Sequence, residues 1–141
     1  MFHRVLVFLQ FFTAATLVLT TTGVTESMPA IALILIGAGL GVWAWLSFGL
    51  TKITVSPALR SDASLVTKGP YRIIRHPMYT AVVVFCLGFL VASFSVWKLL
   101  VWLTLVAVVA QKSRIEEALL RERFPEYEQY AKRTGRFLPH W

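Results

Sequence analysis

Four apolar stretches run along this chain, three without charge and the fourth with Lys98 near its start, and the other polar residues gather between and after them. The first uncharged stretch runs from Val5 to about Thr22 behind Arg4, and the second from Pro29 to Leu50 ahead of Lys52. A third starts at Pro77 and reaches about Ser95, and a fourth follows the turn "SVWK" and runs from Val96 to about Gln111. A hydrocarbon core about 30 Å thick needs roughly 20 apolar residues per helix. The pattern therefore predicts an all-α integral membrane bundle of about four transmembrane helices, over about 5–22, 29–50, 77–95 and 96–111. The fourth stretch is short for a full span, and Lys98 is expected to snorkel to the interface. Its helical period continues through "QKSRIEEALLRERF", with Ile115, Leu119 and Leu120 at helix spacing, so one helix should leave the membrane and enter water. "PEYEQYAKRTG" predicts a last short helix, with Pro125 and Glu126 at its start, Lys132 and Arg133 in its last turn and Gly135 after it. Residues 1–141 are expected to form a single membrane-embedded domain, with a wet loop over 51–76 and a helical tail over 112–141.

Local signals refine the spans. Pro29 and Pro77 suit first helical turns, where the missing N–H costs nothing. In "GAGLG", Gly37 and Gly41 share a face and predict close helix packing; a phosphate loop has no place at mid-bilayer. The first stretch resembles a secretory leader, but "TTTGVTES" lacks a small-x-small cleavage pattern, and it reads as a retained helix. The loop carries turn formers at Pro57, Ser61, Asp62, Ser64, Gly69 and Pro70. It is long for a plain connection within a compact bundle, which points to a function of its own.

Composition agrees with a membrane protein: 57% of residues are hydrophobic and 15% charged. The net charge of +7 does not read as nucleic-acid binding, because the basic residues flank apolar runs instead of forming a patch interleaved with aromatics. It reads as topology. With four spans, Arg4, five basic residues of the loop and seven after the fourth stretch share one side, leaving Lys98 opposite. The positive-inside rule then makes both termini and the loop cytosolic. Cys86 is the lone cysteine, inside an apolar stretch, with no disulfide or metal spacing to read.

The two wet segments thus share a compartment, and a hairpin of the third and fourth helices brings His76 near Glu116. One segment offers Lys68, Arg72, Arg75, His76 and the hydroxyls of Tyr71 and Tyr79. The other offers Glu116 and Glu117, which point about 100° apart on a helix, so only one can face a pocket fully. Both signs of charge at a membrane surface suit a zwitterionic cofactor that meets a lipid-soluble substrate. A carboxylate can hold a ribose diol or an ammonium group, and tyrosine rings favour a cationic centre. Plainer roles compete: Arg72 and Arg75 can meet anionic headgroups, and the glutamates can pair with Arg121 or Lys112 along the helix. Tyr127 and Tyr130 read as packing residues, and His3 and His140 receive no role.

"LVTKGPYRIIRHPMYTA" followed by "RIEEALLRERFPEYEQYAKRTGRFLP" resembles the isoprenylcysteine carboxyl methyltransferase and phospholipid methyltransferase superfamily of membrane enzymes. The resemblance covers residues 65–81 and 114–139 and leaves the first two helices without a motif. It implies that a Gly-x-Tyr-x-x-x-Arg-His-Pro-x-Tyr element and a Glu-Glu element enclose S-adenosylmethionine. Gly69, Tyr71, Arg75, His76, Pro77 and Tyr79 fall on the first element, and Glu116 and Glu117 on the second. On this resemblance Lys68, Gly69, Tyr71, Arg75, His76, Pro77, Tyr79 and Glu116 are expected to bind the cofactor. Arg114 and Glu117 are expected to act catalytically, Arg114 by orienting an anionic substrate, with Glu116 or Glu117 as the candidate base for an amine. The family often has a basic residue one turn before the glutamates; Lys112 and Arg114 both stand near that place. Ala81 and Pro125 replace glycines common in the family, and Ala81 is expected to tighten the cofactor pocket by a methyl group. The implied partners are a lipophilic or lipid substrate and the membrane lipids themselves. The competing functions are a nicotinamide-dependent membrane reductase and a non-catalytic lipid-binding scaffold.

Overall fold

The computed structural model describes residues 2–49 and 65–140. The turn formers Pro57, Ser61, Asp62 and Ser64 lie outside the described residues. Five α-helices follow in order: α1 (Phe2–Thr20), α2 (Met28–Phe48), α3 (Pro77–Ala92), α4 (Val96–Arg123) and α5 (Tyr127–Arg133). Short 3-10 turns stand at Val24–Glu26 and Gly69–Arg72.

Helix limits follow from residues with clear physical roles. The Ser27 hydroxyl accepts from the Ala30 N–H at 3.4 Å, and Pro29 occupies the first turn of α2. Pro77 opens α3, and at Ser93 the backbone has left helical geometry. No proline or glycine interrupts residues 96–123, so α4 continues unbroken for 28 residues. At ~1.5 Å per residue that is about 42 Å, well beyond a hydrocarbon core.

Helices α1, α2 and α4 are long and apolar enough to cross a membrane, whereas α3 has 16 residues, about 24 Å. This agrees with a bundle of about four apolar helices and corrects the expectation that the fourth is the short one. The third helix is the short one, because its start is fixed by Pro77 and its end comes at Ala92 instead of Ser95. The fourth is the longest.

Helix α2 lies along α3, α1 along α4, and α3 and α4 form a hairpin. Leu17, Cys86, Leu105 and Val109 make a buried cluster between α1, α3 and α4. The Trp102 indole N–H donates to the Val83 carbonyl at 3.0 Å across the hairpin. Phe8, Leu35, Leu46 and Leu100 point outward, as lipid-facing residues should. The α2–α3 seam depends on Gly37, where a Cβ would lie 2.5 Å from the Phe85 backbone nitrogen. Ala81 is buried beside Gly41 in the same seam, where its methyl group packs the helices together, and it is not among the residues that line the site cavity described below.

Lys98 lies in the first turn of α4. It is buried, and its ammonium donates to the Thr20 carbonyl at 3.1 Å, the Thr21 hydroxyl at 3.2 Å and the Ser93 hydroxyl. Thr20 ends α1, so the cation meets the negative end of a helix.

The two glycines of α2 provide a test. Gly37→Ala should lower stability in detergent by roughly 1–3 kcal/mol, because the backbones would have to separate. Gly39, with open space where its Cβ would stand, should accept alanine at no cost, and thermal unfolding of both variants checks the contrast.

Candidate functional site

Three segments meet at one end of the bundle: the turn and loop from Gly69 to His76, residues 112–117 of α4, and the tail after α5. Gly69 has φ +59°, and a Cβ there would run into the Ser47 hydroxyl near the end of α2. Glycine therefore lets the loop turn tightly over α2. The Tyr130 hydroxyl then donates to the Tyr71 carbonyl at 2.7 Å, fastening α5 to this turn.

The tail runs beside the loop in a short parallel bridge at Ile74 and Gly135. Arg75 N–H donates to Gly135 O at 2.8 Å, His76 N–H to Arg136 O at 3.1 Å, and Gly135 N–H to Ile73 O at 3.2 Å. The Thr80 hydroxyl donates to Phe137 O at 2.9 Å. Backbone pairing of this kind sets the tail's register against α3.

Glu117 lies at the centre with a fully buried side chain. Its Oε1 accepts from Arg75 Nε at 3.0 Å and Arg136 Nε at 3.0 Å, and lies 3.3 Å from His76 Nε2. Its Oε2 accepts from Arg136 Nη2 at 2.7 Å and Arg121 Nη2 at 3.4 Å. Arg136 thus grips the carboxylate in bidentate fashion. Arg75 also donates to the Ala131 carbonyl at 2.7 Å and to the Thr134 carbonyl, and so caps the end of α5. A carboxylate with guanidinium ions on both oxygens is a counter-ion rather than a base.

Glu116, one residue earlier, faces elsewhere. It is partly exposed, accepts from the Tyr79 hydroxyl at 3.1 Å and lies 3.6 Å from His76 Nδ1. The His76 ring stacks on Tyr79 with centroids 5.4 Å apart. Together these groups border a cavity of about 270 Å³, close to the lower end of the roughly 300–1,000 Å³ of small-molecule sites. Phe11, Phe48, Met78 and Val82 give it apolar walls; Tyr71, Arg75, His76, Tyr79, Glu116 and Lys112 give it polar ones. Phe11 is 57% exposed, so the cavity edge reaches the lipid-facing surface of α1.

Phe48, Tyr71, Arg75, His76 and Glu116 also border a second compartment of about 70 Å³, which Leu120, Tyr127 and Tyr130 help to close. Burial first, and the Glu116 charge second, push the Tyr71 hydroxyl above its ordinary range, so it is a neutral hydrogen-bonding group here. The Tyr127 hydroxyl is buried and has no hydrogen-bond partner among the described residues.

Of the residues proposed from sequence, Tyr71, Arg75, His76, Tyr79 and Glu116 line the cavity. Gly69 and Pro77 shape the loop and the helix start behind it. Lys68 and Arg114 are exposed and line neither compartment, and Glu117 lies beneath the wall. Arg114 and Glu117, expected to act catalytically, line neither of these two compartments. Of Lys112 and Arg114, Lys112, one helical turn before Glu116, is the one on the wall; its ammonium donates to the Gln10 side-chain carbonyl and lies 5.3 Å from the Tyr79 ring centroid. The i, i+4 relation of Lys112 to Glu116 was the available signal. Gln10 had one too, as an amide within an apolar span. Arg136 had only its place in "RFLP".

A helical membrane bundle with a polar, ion-paired cavity at the ends of its helices is the class of protein this geometry defines. The chain belongs to the phospholipid methyltransferase family, whose model matches residues 25–127. It is 37% identical over 82 residues to the nickel-cobalt-cadmium resistance protein NccN of Alcaligenes xylosoxydans xylosoxydans. It is 35% identical over 82 residues to the cobalt-zinc-cadmium resistance protein CzcN of Cupriavidus metallidurans. Each alignment covers 57% of this chain and 38% of the relative. An uncharacterized protein of Schizosaccharomyces pombe is 32% identical over 104 residues, covering 62% of this chain and 30% of the relative. The chain thus spans well under half the length of these relatives. No solved structure matches it.

The neighbouring glutamates should separate cleanly on mutation. Glu117→Gln leaves the largely buried Arg75 guanidinium without its counter-ion and should cost roughly 3–5 kcal/mol. Glu116→Gln keeps a hydrogen-bond acceptor for Tyr79 and should stay within about 1 kcal/mol of the parent. Thermal unfolding in one detergent measures both.

Proposed function

We propose that the protein is an S-adenosylmethionine-dependent methyltransferase that acts on a lipophilic substrate where the membrane meets the cytosol. The observation that carries this reading is a single cavity whose walls include both a lipid-exposed face, at Phe11, and the Arg75, His76 and Glu116 side chains. Family membership supports methyl transfer. The charge distribution supports a cytosolic face for the site, with Lys98 at the other end of the bundle.

The donor set fits the cofactor chemically. Tyr71 offers an aromatic ring suited to a sulfonium, Glu116 accepts from hydroxyl or ammonium groups, and Arg75 and Lys112 offer positive charge to a carboxylate. When bound, S-adenosylmethionine supplies a methyl group on a cationic sulfur. Phe11, Phe48, Met78 and Val82 exclude water and receive an apolar chain. Glu116 is the carboxylate on the wall, and so the group placed to take a proton from an amine or hydroxyl nucleophile; a carboxylate nucleophile needs no base. Glu117 holds Arg75 and His76 in position. The relatives' names speak of metal resistance; among the described residues no three His, Cys, Asp or Glu side chains gather to hold a metal ion.

Purified protein in detergent should unfold at a higher temperature with S-adenosylhomocysteine than with a reduced nicotinamide dinucleotide. At 100 times Kd the stabilisation is about 2.7 kcal/mol, and Glu116→Gln should remove most of it. A shift with the nicotinamide alone would favour a reductase, and no shift with either a lipid-binding scaffold. Labelled methyl donor supplied with membrane lipid extract then identifies the acceptor.

A further inference from the structure

Gln10 is an amide near the middle of an apolar helix, flanked by Leu9 and Phe11, and its side chain is buried. A polar group in that place is costly unless it is used, and such residues inside spans commonly mark function. Half of the amide is used at once, because its carbonyl accepts from the Lys112 ammonium. An ammonium only donates, so this contact fixes which end of the amide faces Lys112 and leaves the N–H donors over. Among the described residues the amide nitrogen has no hydrogen-bond partner, and it is not sealed within the packing.

Gln10 and Lys112 both line the cavity of about 270 Å³. Of the other charged groups on that wall, Arg75 is engaged by Glu117 and by the carbonyls of Ala131 and Thr134, and Glu116 accepts from Tyr79. The Lys112 ammonium and the Gln10 amide N–H groups are both donors, a combination that suits an oxyanion and gives an ammonium head nothing to donate to. Phe11, next to Gln10, carries the cavity edge to the lipid-facing surface, so an apolar chain can lie beside the pair. A plain tether between α1 and α4 would need only the carbonyl, and a glutamate at position 10 would serve it equally well.

We infer that Gln10 and Lys112 form a clamp, built from α1 and α4, that receives a carboxylate on the cavity wall and discriminates against an amine. The carboxylate belongs either to the head of the lipophilic acceptor or to the amino-acid end of the methyl donor; only that attribution rests on the methyltransferase reading. The clamp adds to the site a residue from a helix that carries no motif.

Titrations of the full chain in a neutral detergent test it, on the parent, Gln10→Glu and Gln10→Leu. The probes are oleate against oleylamine, and S-adenosylhomocysteine against 5′-methylthioadenosine, which lacks the amino-acid end. Without ligand, Gln10→Glu should unfold no earlier than the parent, since an oxygen still faces Lys112. Both variants lose the N–H donors, and each should bind the carboxylate at least about 10-fold more weakly, as expected for a hydrogen bond to a charged group. A loss on oleate that spares oleylamine supports the clamp and assigns it to the acceptor. A loss on S-adenosylhomocysteine that spares 5′-methylthioadenosine supports it and assigns it to the donor. Unchanged carboxylate binding in both variants would overturn the clamp and leave Gln10 as a tether; equal losses within each pair of probes would overturn it as general damage to the cavity. A parent that binds oleate but not S-adenosylhomocysteine would remove the methyltransferase reading while the oleate arm still decides the clamp, and a parent that binds neither would overturn both.

Discussion

The wet half of this protein is organised by a buried carboxylate. Glu117 draws Arg75 from the loop, Arg136 from the tail and Arg121 from its own helix, and it stands within 3.3 Å of His76. Burying that charge is costly, and the cost is offset because guanidinium groups reach both oxygens. The consequence is positional: segments far apart in sequence are pinned to one turn of α4. Arg75, once pinned, has donors left to cap α5, so the same interaction fixes the last helix and the tail.

Helix lengths decide where this assembly stands. Helix α3 starts at Pro77 and is short, while α4 runs on for 28 residues. Their hairpin therefore leaves the last turns of α4 projecting past the start of α3. Glu116 and Glu117 fall on that projecting part, level with His76. Gln10 and Phe11 of α1 and Phe48 of α2 reach the same level and wall the cavity on its lipid side. A lipophilic acceptor can then meet polar groups without leaving an apolar surface, which is the physical basis of the proposed methyl transfer.

Much of this was legible in the sequence. The uncharged runs marked the apolar helices, the 3.6-residue period carried α4 past the membrane, and hairpin arithmetic placed His76 beside Glu116. The 100° offset between adjacent helix positions said that one glutamate at most would face a pocket; choosing Glu116 required knowing where Arg136 lands. That contact is non-local and depends on a bridge between Ile74 and Gly135 that no periodicity announces. The partners of Lys98 were hidden for a similar reason, since they belong to the end of α1 and the end of α3. Gln10 went unnoticed because one amide barely disturbs an apolar run, although such a residue inside a span commonly has a partner, and here that partner is Lys112.

The central claim is that Glu117 and Arg136 act as one unit that closes the tail over the site. A double-mutant cycle with Glu117→Gln, Arg136→Gln and the double variant, read by unfolding free energy, measures that coupling directly. The account predicts strong coupling, with the double variant scarcely less stable than Glu117→Gln alone. Additive losses would show that the tail is held by other contacts and that the carboxylate does not organise the site.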